Sequence, residues 1–254
     1  MNIVVPVRLV PDLVEEINVD PGGTALDASW LRLIINEFDD HAIEQAILLK
    51  ERGGGQVCIL APSVEGVDDV LFTAAAKGAD RLVKLEGLTD VGLSSHALAR
   101  ALAPAIQALQ PDLILTGVQA HTDLDGPVGP LIAESLGFPY VGYVASVTLE
   151  AGSASVRKEY PGGLVAGMEV RLPAVLGIQA AEKPPRYVAV SKVRQAMQTA
   201  RIETQAAGEI DASGALAIQR MFQPEAAGRA TMIDGEPAEV ADRILEILRE
   251  SGIV

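Results

Sequence analysis

The sequence predicts an α/β protein: a doubly wound, mainly parallel sheet, with antiparallel strands at one edge and an extended C-terminal arm. Three observations favour this fold. Short apolar runs alternate with helical segments up to residue 136. Hydrophobic residues make up 49% of the chain but aromatic ones only 4%, which indicates a core of Ala, Val, Leu and Ile between helices and sheet. After residue 139 the hydrophobic spacing changes to a period of two, which is typical of antiparallel strands.

The first half of the chain predicts a repeated alternation of strand and helix. Residues 2–7 are apolar and mostly β-branched, as expected for a strand that is covered on both faces. Further strands are predicted at residues 57–61, 82–85 and 112–116, and helices at residues 39–52, 67–77, 94–109 and 131–136. Strands that alternate with helices in this way form a parallel sheet with right-handed crossovers.

The second half of the chain predicts strands of a different kind. Residues 144–149 and 154–159 lie on either side of a turn at Gly152, which indicates a hairpin. Residues 167–172 and 174–178 continue the extended pattern. We expect these antiparallel strands to extend one edge of the parallel sheet.

The C-terminal part differs in composition. Residues 182–224 are polar, rich in Ala and Gln and without a core pattern, which predicts an arm. Residues 236–251 predict an amphipathic helix with Pro237 in its first turn. We therefore divide the chain into an α/β domain, residues 1–185, and an arm, residues 186–254.

Charge and composition exclude several classes of protein. The formal charge of −14 repels nucleic-acid backbones and anionic lipids. The apolar run at residues 1–10 is too short to span a membrane and lacks the basic start of a signal peptide, so we expect a cytoplasmic location without membrane insertion. Cys58 is the single cysteine, which excludes an internal disulfide and a multi-cysteine metal site. No metal-binding, nucleophile or phosphate-loop motif occurs, so no catalytic or metal residue is predicted.

A glycine-bearing loop at residues 117–130 follows the fourth predicted strand, where open α/β sheets place their ligands. Gly126 and Gly129 allow the backbone to approach a ligand closely, and the helix that follows presents unpaired N–H groups to an anion. Asp123 and Asp125 would repel a phosphate, however, and two prolines of the loop each lack an N–H donor. The loop is a candidate binding site.

Two polar positions near this loop have open interpretations. His121 lies either beside a bound phosphate or flavin, or in solvent. Asn36 precedes the first predicted helix, where Asp39 or Asp40 fits an N-cap. Asn36 is then either free to hydrogen-bond an adenine or ribose edge, or structural.

In the order of its predicted strands, helices and glycine-bearing loop, the chain resembles the β subunit of electron-transfer flavoproteins, a family that includes the FixA proteins. Fragments in the family's order carry the resemblance along almost the whole chain. They are VVPVR at 4–8 with PD at 11–12, NEFDDHAIE at 36–44, AKGADR at 76–81, GVQA at 117–120, VGP at 128–130, GG at 162–163, LPAV at 172–175 and PRY at 185–187.

The resemblance implies a Rossmann-like, adenine-nucleotide-hydrolase-like fold and an electron-carrier subunit rather than a self-sufficient enzyme. FAD would be held mainly by an α subunit, and electrons would pass from a dehydrogenase to a quinone reductase or other acceptor. The β subunit itself would hold AMP, or a second FAD in electron-bifurcating members.

The resemblance also implies particular residues. The nucleotide cleft would be formed by Pro6, Val7, Arg8, Asn36, Phe38, Ala61, Gly117, Gln119, His121, Asp123, Asp125, Gly126, Val128 and Gly129. A partner-recognition loop would include Val190, Ser191, Lys192 and Val193, and the arm would wrap the α subunit.

Some residues depart from the family's usual pattern. Glu37 stands where a proline is common, and Val118 where a lysine is common. Asp125, Gly126 and Pro127 stand where small polar side chains are usual. The resemblance favours a β subunit with an adenine nucleotide, and the alternatives are a bifurcating subunit with its own FAD and a stand-alone nucleotide-binding regulator.

Overall fold

The computed structural model describes residues 1–88, 94–207, 210–211, 213–214, 216–224, 228 and 230–253. It contains two compact units, Met1–Met221 and Phe222–Val254. The strands are β1 Asn2–Pro6, β2 Leu9–Pro11, β3 Leu33–Ile35, β4 Gln56–Pro62, β5 Arg81–Glu86, β6 Leu113–Gly117, β7 Tyr140–Glu150, β8 Ser153–Tyr160, β9 Leu164–Arg171, β10 Ala174–Ile178 and β11 Ile202–Ala206. The helices are α1 Glu37–Gly53, α2 Val67–Lys77, α3 Ser95–Ala108, α4 Val128–Leu136, α5 Val190–Thr199 and α6 Pro237–Glu250.

Within the described residues, nine strands form one sheet in the order β11-β5-β4-β1-β6-β10-β7-β8-β9. Pairing is parallel from β11 to β7 and antiparallel between β7, β8 and β9. The short strands β2 and β3 form a separate antiparallel ribbon. The predicted fold class is confirmed: a mainly parallel α/β sheet with antiparallel strands at one edge.

The central strand β1 shows why the sheet is covered on both faces. Its side chains point alternately to opposite faces. Ile3 and Val5 pack in the cluster that includes residues of α1 and α2, and Val4 packs in the cluster that includes residues of α3 and α4. Each fully buried Val or Ile of this kind stabilises the fold by roughly 1.5–3 kcal/mol. A continuous apolar run is therefore the sequence that this position requires.

Helix α1 ends close to its predicted end but begins at Glu37, before its predicted start at Asp39. Acidic residues occupy its first turn and Lys50 and Arg52 its last turn, which matches the helix dipole. Gly54 follows its end with φ 72°, a left-handed backbone angle that favours glycine. Its N-cap, however, is Asn36 and not Asp39 or Asp40, so the predicted capping role of the two aspartates is wrong.

Two segments differ from their predicted positions. β10 does not lie among the antiparallel edge strands, because it pairs in parallel with β6 on one side and β7 on the other. All its residues are buried, as in a central strand. The predicted arm contains α5, which packs on α2, and β11, which pairs with β5 and adds an edge strand. The first compact unit thus extends beyond residue 185, while the functional division at that residue stays a prediction.

The second unit contains the predicted C-terminal amphipathic helix, α6. Glu236 and Glu239 form a reciprocal capping box at its start, and Pro237 occupies its first turn. Among the described residues, no helix is both long and apolar enough to span a membrane.

Candidate functional site

The candidate site, here called the cleft, is the region at the carboxyl ends of β1 and β6, where the winding of the sheet reverses. β1 is flanked by β4 on one side and β6 on the other, and the chain builds outward from it in both directions. The carboxyl ends of β1 and β6 therefore diverge into connections on opposite faces, which is where open α/β sheets bind ligands. Arg8 follows β1, and Gly117 ends β6.

Asp39 fastens the ends of these two strands together. The Arg8 N–H donates to its Oδ2 at 2.9 Å, and the Gly117 N–H donates to its Oδ1 at 3.0 Å. The Asp39 side chain is only 2% exposed. Burial raises the pKa of the Asp39 carboxyl, while the Arg8 guanidinium and the two N–H donors oppose that rise. The aspartate holds the cleft in shape.

Asn36 holds the loop that follows β6. Its Nδ2 donates to the Gln119 carbonyl at 3.0 Å, and its side chain makes no capping hydrogen bond to α1. Asn36 is buried, whereas Gln119 is exposed. This contact is structural, while hydrogen bonding of Asn36 to an adenine or ribose edge stays a prediction.

Arg8 and Asp123 form an ion pair inside the cleft. Arg8 Nη1 lies 2.5 Å from Asp123 Oδ1, and its side chain is 11% exposed. The second carboxylate oxygen accepts the Ala120 N–H at 2.8 Å, and the Ser95 hydroxyl donates to the first at 3.2 Å. The carboxylate expected to repel a phosphate is thus already neutralised by a cation of the same chain.

Asp125 binds the start of α3. Its Oδ1 accepts the Ser95 N–H at 2.9 Å, and its Oδ2 is buried without a hydrogen-bond partner among the described residues. Burial alone would raise the pKa of Asp125, but the Ser95 and His96 N–H groups lower it below its usual value. The carboxylate is therefore ionised at neutral pH.

The first turn of α4 packs closely on the sheet. A Cβ on Gly129 would lie 2.7 Å from Thr116 Oγ1 and 3.0 Å from the Tyr140 ring, so only glycine fits there. The hydroxyl of Thr116 is buried, with no hydrogen-bond partner in the part of the chain that the structure describes. Desolvation raises the pKa of Tyr140 to about 12, which keeps this ring neutral.

A strap at residues 181–186 crosses the other half of α1. The Glu182 N–H donates to Gln45 Oε1 at 3.0 Å. Arg186 forms ion pairs with the buried Glu44 at 2.8 Å and with Glu51 at 2.6 Å. These contacts fix the strap, which leads directly into α5.

The comparison with known proteins gives a consistent result over the whole chain. The family model described as "Electron transfer flavoprotein domain" matches residues 27–210. The chain is 31% identical to the electron transfer flavoprotein subunit beta of Methylophilus methylotrophus, over 98% of each chain. It is 30% identical to that of Clostridium acetobutylicum, again over 98% of each. It is 32% identical to protein FixA of Azorhizobium caulinodans, over 96% of this chain and 92% of that protein.

The chain belongs to the electron transfer flavoprotein family. The resemblance predicted from the sequence fragments is confirmed, since both the family model and the relatives cover most of the chain. The family membership identifies a protein of electron transfer, while the role of each cleft residue remains a prediction.

Several predicted site residues of this flavoprotein do lie around the cleft. Arg8, Asn36, Gly117, Gln119 and Asp123 are joined by the hydrogen bonds described above. Gly126 adopts φ 104° in the loop, where a side chain would be strained.

Other predicted residues have less direct access to a ligand. Val7 and Ala61 are fully buried and Pro6 is buried, so their side chains face the core and not the cleft opening. Phe38 is half-buried in the first turn of α1, and His121 is exposed in the loop.

The predicted recognition residues of the flavoprotein, 190–193, form the first turn of helix α5, so the expectation of a loop there is wrong. Val190 is 62% exposed.

Sequence reasoning missed Ser95 and the bridging role of Asp39. The two consecutive aspartates at the start of α1 indicate a structural role, but the sequence does not distinguish a helix cap from a side chain that joins two strands. Ser95 lies 28 residues from Asp123, and only the fold brings the two together.

Proposed function

We propose that this chain is the β subunit of a heterodimeric electron transfer flavoprotein in the cytoplasm. It carries electrons from a dehydrogenase to a quinone reductase or another acceptor, through FAD that is held mainly by an α subunit. The observation that carries this proposal is the 30–31% identity to two beta subunits, which spans 98% of each chain. A full-length match supports the same role for the whole chain, not only for its sheet.

The flavin supplies the redox chemistry when bound, by accepting and donating electrons. This chain supplies a rigid wall and a docking segment. The sheet unit is fastened at the cleft by Asp39 and along α1 by the strap. A rigid support limits the reorganisation that would accompany each transfer.

The cleft is proposed to hold an adenine nucleotide. Asn36 fixes the loop that forms one side of the opening. The exposed Gln119 side chain offers both a donor and an acceptor to a base or ribose edge. Phe38, which directly precedes Asp39, is half-buried, and we propose that its ring supplies an aromatic surface for the base. These features fit the nucleoside part of such a ligand.

Residues 186–254 are proposed to serve the partners. The first turn of α5 exposes an apolar and a basic side chain, Val190 and Lys192, next to the exposed Tyr187. We take these exposed side chains as the candidate docking surface for another protein. We assign docking of the dehydrogenase to Val190, Ser191, Lys192 and Val193, and contact with the α subunit to the arm.

The first experiment measures composition. The chain is co-expressed with an electron transfer flavoprotein α subunit from the same genome, and flavin and adenine nucleotide are released and quantified per heterodimer. We expect one FAD and one adenine ligand. Two flavins would support the bifurcating alternative. A stable monomer that forms no complex would refute the β-subunit role and support a stand-alone regulator.

The second experiment tests docking. Val190→Glu places a charge at the start of α5, and Gln195→Glu places the same charge at another exposed position of that helix. We expect Val190→Glu to slow flavin reduction by the dehydrogenase while flavin content stays unchanged, and Gln195→Glu to behave as wild type. Equal rates for Val190→Glu and wild type would remove the recognition assignment.

A further inference from the structure

The end of the cleft formed by the first turn of α4 is short of hydrogen-bond donors. The first four N–H positions of a helix have no partner within the helix and are the ones that bind anions. In α4 these positions are Pro127, Val128, Gly129 and Pro130. Because proline carries no N–H, only Val128 and Gly129 can donate. Only two of the four backbone N–H donors that a helix start usually offers to a phosphate are therefore present.

The charges around this end of the cleft are also unfavourable for an anion. Among the described residues given above for the cleft, Arg8 is the cation, and its guanidinium pairs with Asp123 and lies 3.9 Å from Asp39. Asp125 adds a further carboxylate, with one buried oxygen that has no partner among the described residues. Together, Arg8 and the carboxylates of Asp39, Asp123 and Asp125 carry a formal charge of −2. A nucleotide phosphate carries about −1.5 to −2 at pH 7, so it would enter a region of like charge.

The side of the loop nearest Asn36 differs in character. Position 118, which follows β6 directly, holds a buried valine, so no basic side chain reaches the opening from there. Gln119 is exposed and neutral, with an amide that suits the polar edge of a base or the hydroxyls of a ribose. Recognition at this side needs no charge on the ligand.

We infer that the cleft recognises the nucleoside part of its ligand and that a 5′-phosphate adds little affinity. This inference rests on the proposed adenine-nucleotide cleft and makes its ligand class more specific. Pro127, Pro130 and Val118 are the positions that determine this selectivity. The cleft binds adenosine about as well as AMP, and a pyrophosphate-bearing ligand such as ADP gains nothing from its second phosphate.

The test uses the purified heterodimer after its ligands have been removed. Adenosine, AMP and ADP are titrated by calorimetry at low salt and again at high salt. We expect the dissociation constants of adenosine and AMP to agree within about threefold. We also expect the affinity for AMP not to fall as the salt concentration is raised, since no attraction between free charges holds the phosphate and salt screens its repulsion by the carboxylates.

A variant makes the test independent of the wild-type affinities. Pro127→Gln restores one N–H and adds a side-chain amide, and we expect it to tighten AMP binding by at least about fivefold without changing adenosine binding. Pro161→Gln is the matched control, because Pro161 is an exposed proline between β8 and β9, on the far side of β10 and β7 from the cleft strands.

Each result separates the inference from the proposed function. AMP binding at least about tenfold tighter than adenosine binding in the wild type would overturn the inference and leave the nucleotide cleft standing. An equal gain for both ligands in Pro127→Gln would also overturn it. If neither adenosine nor AMP binds, the nucleotide cleft itself is refuted, and the inference falls with it. Should Pro127→Gln fail to fold, the wild-type comparison still decides.

Discussion

Replacement of Asp39 by alanine is the most direct test of how the cleft is held together. The Asp39 carboxylate accepts the N–H groups of Arg8 and Gly117, at 2.9 and 3.0 Å, and thereby joins the ends of β1 and β6. Asp39→Ala removes both acceptors at once. It leaves two N–H groups at the centre of the sheet without a partner, in a place where Asp39 is 2% exposed.

The expected loss follows from these contacts. A hydrogen bond to a charged group contributes roughly 1.5–3 kcal/mol, so two of them contribute about 3–6 kcal/mol. Two effects reduce the loss: Arg8 keeps its ion pair with Asp123, and the burial that raises the pKa of Asp39 no longer has to be overcome. We expect Asp39→Ala to lower the free energy of unfolding by about 3–4 kcal/mol. In a protein of this size, that corresponds to a fall in Tm of roughly 6–16 °C.

Urea unfolding, followed by circular dichroism, measures this change. The matched control is Glu37→Ala, which removes an exposed carboxylate from the same turn of α1 and should change the free energy of unfolding by about 0.5 kcal/mol or less. If the two variants unfold within about 1 kcal/mol of each other, Asp39 does not hold the strand ends together, and the account of the cleft given above is wrong.

Three further predictions concern other parts of the sheet unit. Gly129→Ala should lower stability by about 1–3 kcal/mol, measured as a fall in Tm, because its Cβ would lie 2.7 Å from Thr116 Oγ1; an unchanged Tm would contradict the close packing of α4. Burial raises the pKa of the Cys58 thiol to about 11, so a thiol reagent at pH 8 should label it only after unfolding, and rapid labelling of the native protein would count against the packing of β4. Burial tends to raise the pKa of Glu182, but Arg52 and other donors lower it below its usual value. The ionised carboxylate therefore stabilises the fold above about pH 4.3, the pKa of an unfolded glutamate. This stabilisation is lost as the pH falls through the lower pKa of the folded state. Glu182→Gln should therefore lower Tm at pH 6 and match wild type more closely near pH 3; a Tm difference that does not depend on pH would refute this.

The sequence predicts those parts of the fold that depend on local patterns. β1, β4 and β6 are continuous apolar runs because each lies between two layers of helices. Glycines and apolar spacing predict where α1 to α4 end, whereas α1 and α4 begin before their predicted starts, at Glu37 and Val128. The central position of β10 was not predictable in the same way. Its five apolar residues fit an edge extension or a central strand equally well, and only its pairing with β6 and β7 distinguishes the two.

The sequence predicts the position of the candidate site but not the hydrogen bonds and ion pairs within it. The rule that ligands bind at the carboxyl ends of strands points to the 117–130 loop without any coordinates. Arg8, Ser95 and Gly117, in contrast, contact Asp39 or Asp123 from 28 to 115 residues away. Charges that look repulsive in the sequence, such as that of Asp123, therefore turn out to be paired in the fold.

Helix α1 has a mechanical consequence for the protein. It contains 17 residues and is therefore a stiff rod about 25 Å long. Near one end, Asp39 attaches it to the strand ends of the cleft. Glu44 near its middle and Glu51 near its other end attach it to the strap that leads into α5. Because α1 is stiff and attached at both places, a movement at one attachment is passed on to the other. A shift of α1 along its axis would reach the cleft and the entrance to α5 together.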